Sequence, residues 1–79
     1  LMNTQTAIIE AVAKCGGVMA TTQKTGAKGY QSVQQWIRAG QVPAWACPVL
    51  EKESGISRIH FRKDAHKIWP ELAEKAINE

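Results

Sequence analysis

The chain has 79 residues, 44% of them hydrophobic and 22% charged, and a formal charge of +3. That composition fits one small globular domain with a shallow core and excludes a disordered chain. Two cysteines outside any CxxC pair are too few for a disulfide scaffold, and no apolar run approaches the ~20 residues of a membrane span.

The expected setting is therefore cytoplasmic, with Cys15 and Cys47 reduced. Met2 is the expected start, and no charged-then-apolar leader is visible. Asn3 or Thr4 can cap a first helix, whose predicted buried stripe is Ile8, Ile9, Val12 and Ala13. Gly16-Gly17 ends it, because glycine adopts the left-handed conformation that closes a helix. Val18 to about Thr25 is a short second helix. Its β-branched Thr21, Thr22 and Thr25 make it weak by propensity, so its neighbours must hold it. Gly26-Ala27-Lys28-Gly29 then reads as a tight turn.

The stretch after the turn organises the chain. Val33, Trp36 and Ile37 make one apolar stripe at helical spacing, and Gly40 stops the helix. Its other side carries Tyr30, Gln31, Gln34, Gln35 and Arg38, with no acid. Amides and Arg are the side chains that match the donor and acceptor pattern of base edges in a major groove. Gln41-Val42-Pro43 is an extended connector. A further helix covers roughly residues 45 to 54, with Val49, Leu50 and Trp45 as core contacts. Trp45 is equally suited to an interface. An irregular start over residues 43–47 places Pro48 in the first regular turn. Ser57 caps a short helix containing Ile59 and Phe61. Trp69-Pro70 leads into a last helix, with Trp69, Leu72, Ala73, Ala76 and Ile77 as its apolar stripe. No strand, repeat or low-complexity segment is predicted.

Charge is unevenly spread. No acid lies between Glu10 and Glu51, while Lys14, Lys24, Lys28 and Arg38 fall there. Arg58, Arg62, Lys63 and Lys67 around Asp64 form a second basic cluster, and the tail from Glu71 is acidic. The excess positive charge accompanies the Gln-rich helix, which suits a polyanion partner. Short helix, glycine turn and amphipathic helix in that order give a helix-turn-helix layout.

Gly16-Gly17, Gly26, Val33-Gln34-Gln35-Trp36, Val42-Pro43, Cys47-Pro48 and Leu50-Glu51 together resemble the Cro-like repressors of lambdoid prophages. Within them the chain is most similar to the YdaS type, the antitoxin or Cro analogue of prophage toxin loci. The segment from Ser57 to Asp64 followed by Ile68-Trp69-Pro70 is similar to that subset's Arg-x-x-Leu-Arg-Pro-Asp run before a Trp-Pro. The chain departs from the pattern in four ways. Thr21, Thr22 and Thr25 replace Leu, Ala and Leu. The turn before Val33 is one residue longer, Lys63 replaces a proline, and Ala65-His66-Lys67 is extra.

The resemblance implies an all-α, lambda-repressor-like helix-turn-helix domain of about five helices over residues 1–69, with an additional C-terminal helix over 70–79. It implies a regulator that binds double-stranded operator DNA as a homo-dimer or higher oligomer and represses one side of a prophage immunity region. It puts Val33 and Trp36 in the core and Gly29, Tyr30, Gln31, Gln34 and Gln35 at the DNA. On chemical grounds Gln31 and either Gln34 or Gln35 suit base edges, and Tyr30 suits a phosphate or a thymine methyl. Lys24, Lys28 and Arg38 suit phosphates. The terminal stripe, Trp69, Leu72, Ala73, Ala76 and Ile77, either joins subunits or folds back on its own domain. The alternative function is an antitoxin that binds and blocks a toxin protein. No cofactor is expected. Cys15, Cys47, His60 and His66 lack the spacing of zinc ligands, and no carboxylate pair, Cys–His pair or phosphate loop suggests an enzyme.

Overall fold

The computed structural model describes residues 3–72, and every regular element among them is helical. Of the terminal stripe, Ala73, Ala76 and Ile77 lie outside the described residues.

Asn3, in extended backbone, caps α1 (Thr4–Cys15), its Oδ1 accepting from the Thr6 N–H at 2.8 Å. The helix buries Ala7, Ile8, Ala11, Val12 and Cys15. Ile9 is half exposed and Ala13 is exposed. The buried stripe is thus turned by one residue position, about 100°, from the one expected. The reason is size: Ala7 and Ala11 let α1 lie close against its neighbours, and the bulky Ile9 falls outside that contact.

The three threonines of α2 (Val18–Thr25) solve the problem of their own polarity. Each hydroxyl donates to a carbonyl four residues back, Thr21 to Gly17, Thr22 to Val18 and Thr25 to Thr21, all at 2.8 Å. Thr21 and Thr25 are therefore buried without an unmet hydrogen bond, the condition under which a hydroxyl is tolerated in a core. Gly26, at φ +79, closes the helix and passes the chain into the turn before α3 (Tyr30–Ala39). There Val33 and Trp36 are buried and Ile37 packs partly buried beside them, as expected.

Gly40, at φ +67, caps α3 and lies so near α1 that a Cβ there would fall 3.2 Å from Thr4 Oγ1. The Gln5 amide also donates to the Ile37 carbonyl at 3.0 Å, so the end of α3 is tied to the start of α1. Val42 is fully buried in the connector, and its N–H donates to the Phe61 carbonyl at 3.0 Å. The turn before α4 (Cys47–Ser54) leaves Trp45 58% exposed, with its ring edge-on to Trp36 at 6.0 Å. Trp45 is therefore a surface residue of a turn, not a core residue of the helix. Pro48 occupies the first turn, where its missing N–H costs nothing. Leu50 is buried and Val49 is half-buried.

Ser57 caps a 3-10 turn over Arg58–His60, and Phe61, just after it, is the largest fully buried side chain. The chain then forms α5 (Ala65–Ile68), a single turn that the sequence reading passed over as an extra stretch. Ala65 alone is buried on it, too faint a signal for periodicity to catch. Trp69 caps α5 and packs partly buried against the core, under the Arg58 guanidinium at 5.4 Å, and a helical stretch resumes at Pro70.

Two ion pairs hold this second half. Glu51 accepts from the Arg58 N–H at 2.7 Å and from its guanidinium at 3.2 and 3.3 Å. Arg62 bonds both oxygens of Asp64 and donates to the Val42 carbonyl at 3.0 Å. The Arg58 hydrogen bond holds the Glu51 carboxyl below its ordinary range, and Arg62 does the same to Asp64. Both carboxyls are depressed in the folded chain, so the unfolded chain takes up protons first as pH falls. The stabilisation is complete above the ordinary carboxylate range near pH 4 and is lost as pH falls through the lower folded values. Thermal melts from pH 6 to 2 should show the wild type losing stability below about pH 4.5, with a shallower acid slope in Glu51→Gln.

Candidate nucleic-acid interface

Helical geometry sorts the side chains of α3 into two arcs. At about 100° per residue, Tyr30, Gln34, Arg38, Gln31 and Gln35 lie within about 140° of one another. Val33, Trp36 and Ile37 occupy the opposite side. The structure agrees with that division: Tyr30, Gln31, Gln34, Gln35 and Arg38 are all exposed. Among the described residues, the side chains of Gln31, Gln34, Gln35 and Arg38 make no hydrogen bond or ion pair with the protein. The donors and acceptors of these four side chains are therefore free for a partner.

The structure fixes the entry of the helix. Gly29 is the N-cap, in extended backbone, and Tyr30 is the first helical residue. A Cβ on Gly29 would fall 2.8 Å from Gln31 Oε1, so the Gln31 amide lies over the helix start. With no side chain at Gly29, that start is uncapped, and the first turn carries no acid. The N-terminus of α2 is similar, with Gly17 as a cap that has no side chain. Uncapped, acid-free N-termini keep their positive partial charge, which favours an anionic neighbour.

The candidate cations do not all contribute equally. Lys28 and Arg38 are exposed and unpaired among the described residues. Lys24 lies 3.9 Å from Glu53, a loose exposed contact that reduces its field without abolishing it. The second basic cluster is weaker than its residue count, since Arg58 and Arg62 are held by Glu51 and Asp64. Lys63 and Lys67 are its exposed, unpaired members, and His60 and His66 are exposed beside them.

Two open concavities border α3. One, of about 420 Å³, runs along Gln34, Ile37 and Arg38 with Gln5 and Val18 on its far side. The other, of about 330 Å³, lies at the end of the helix, lined by Arg38, Lys63 and the start of α1. Sequence reading did not bring Gln5 or Lys63 to this helix, because both arrive through tertiary contacts.

Elsewhere the described residues offer little chemistry. No three His, Cys, Asp or Glu side chains gather among them. Both thiols are buried and unpaired, and burial pushes that of Cys47 up to about 11, far from a reactive thiolate. None of the described helices is long and apolar enough to cross a membrane. Compared with known proteins, the chain matches no family model, and no curated protein or solved structure is detectably similar to it.

Proposed function

We propose that this chain is a sequence-specific DNA-binding transcriptional regulator of the Cro-like, lambda-repressor-like class. In this reading α2, the turn and α3 are the helix-turn-helix, and α3 enters the major groove of operator DNA. The observation that carries it is the outer face of α3. Three amides, a phenol and a guanidinium share one exposed arc with no acid and no internal partner. A solvated helix face of ordinary composition mixes charges of both signs, whereas this one presents the groups that read base edges.

Gln31 and either Gln34 or Gln35 contact bases, with adenine N6 and N7 as the best match for an amide. Tyr30, at the first helical position, meets a thymine methyl or a phosphate. Lys28 and Arg38 contact phosphates, with Lys24 in a lesser role, and position the domain without reading sequence. One domain reading a few bases binds weakly, since each contact contributes about 1–3 kcal/mol of discrimination. The regulator therefore acts as a symmetric dimer or higher oligomer on half-sites about one helical turn apart.

A mobility-shift titration tests this with duplex DNA from upstream of the protein's own gene, over a salt series. Specific binding that weakens steeply with salt is the expected result. No shift at low salt would refute it and favour a toxin-binding antitoxin.

A further inference from the structure

The cleft at the end of α3 has properties that the base-reading face does not explain. It is lined by Asn3, Thr4, Gln5, Arg38, Gly40 and Lys63, and no carboxylate borders it. Lys63 is 25 positions from Arg38 in sequence and reaches the cleft through two long-range bonds. The Phe61 carbonyl accepts from the Val42 N–H, and Arg62 donates to the Val42 carbonyl, which together pin the segment beside the end of α3. The acid next to Lys63, Asp64, has both oxygens bonded by Arg62. Lys63 is thereby left exposed and unpaired among the described residues. Arg38 belongs to the same arc of α3 as Gln34, so the cleft opens where the proposed reading face ends.

We infer that Arg38 and Lys63 together grip one backbone phosphate of duplex DNA in this cleft, extending the footprint beyond α3. The inference rests on the DNA-binding reading above and adds Lys63 to its contacts. Arg58 and Arg62, the stronger cations of the same sequence cluster, have no such part, because their charges are already met within the fold. Asn3, Thr4 and Gln5 add polar groups to the wall, and the cleft of about 330 Å³ is open to solvent, as a passing strand requires. A phosphate contact of this kind does not read sequence, so its effect falls alike on every duplex.

The test is the salt dependence of duplex binding by the full chain, compared among wild type, Lys63→Gln and Lys67→Gln. Lys67 is an exposed neighbour in the same cluster but does not line the cleft. Each phosphate neutralised contributes about 0.9 to the slope of log K against log salt. Arg38 stays on the same phosphate in Lys63→Gln, so this variant should lower that slope by less than about 0.9 per domain, weaken binding several-fold at low salt and leave the preference for operator over random DNA unchanged. Lys67→Gln should keep the wild-type slope. An unchanged slope in Lys63→Gln, or an equal loss in both variants, would overturn the inference. Saturable binding of inorganic phosphate at Lys63, with the DNA slope unaltered by Lys63→Gln, would also overturn it and assign the cleft to a free anion. A wild type that binds no DNA at any salt would instead refute the function itself, so the two failures are distinct.

Discussion

Phe61→Ala should destabilise the domain by about 3–5 kcal/mol, the cost of removing a fully buried aromatic side chain and leaving a cavity. Phe61 is 0% exposed and is the largest of the completely buried side chains. A domain of this length has a total stability of roughly 4–12 kcal/mol, so the change removes a large part of it. The position matters as much as the volume. The Phe61 carbonyl holds the Val42 N–H, and Val42 follows the cap of α3 by two residues. Loosening that pair releases the connector and, with it, the packing of the last turn of α3. In urea, at a slope of about 1 kcal/mol per molar, the midpoint should fall by about 3 M or more. Phe61→Leu, which keeps most of the volume, should fall by well under half as much. A shift in Phe61→Ala below about 1 kcal/mol would show that the site collapses around the smaller residue and that Phe61 is not the keystone of this half.

The first half of the chain was largely legible. Glycine closures at Gly16, Gly26 and Gly40 depend only on local backbone chemistry, and all three take the left-handed conformation at helix ends. The division of α3 into a buried stripe and a polar arc follows from period alone, and it holds. What period could not give is the phase of α1. Two adjacent isoleucines pulled the expected stripe toward Ile9, whereas the packing selects the small Ala7 and Ala11 on the other side of Ile8. Counting apolar residues rewards bulk, and close helix contacts reward its absence.

The threonines of α2 misled in another way. Read singly, they are weak helix formers, yet each has a carbonyl four residues back to receive its hydroxyl. That compensation exists only once the helix forms, so propensity underrates it. The second half was less legible because its order comes from long-range pairs. Glu51 with Arg58 and Arg62 with Asp64 and Val42 turn an apparent basic cluster into structural ties. Net charge by segment does not reveal which cations remain free. Lys63 became a candidate only when folding placed it beside Arg38.

Gln34→Ala should weaken binding to the best DNA site far more than binding to random duplex. Gln34 lies inside the exposed arc of α3, between Tyr30 and Arg38, and borders the groove that Gln5 and Val18 complete. Its amide has no partner among the described residues. Removing it leaves the helix intact, since alanine is the best helix former and the position is exposed. The loss then reports on the partner alone. A bidentate contact to one base contributes about 1–3 kcal/mol of discrimination, which is roughly ten- to a hundred-fold in affinity. In a symmetric dimer both half-sites lose it, so the combined effect on the specific site is correspondingly larger. Random duplex, bound through phosphates, should lose little, because Gln34 carries no charge. Arg38→Gln supplies the opposite pattern, a comparable loss on both DNAs together with a shallower salt slope. The two variants separate reading from positioning on one helix face. Equal loss on specific and random DNA in Gln34→Ala would place Gln34 off the bases and leave Gln31 and Gln35 to carry the readout.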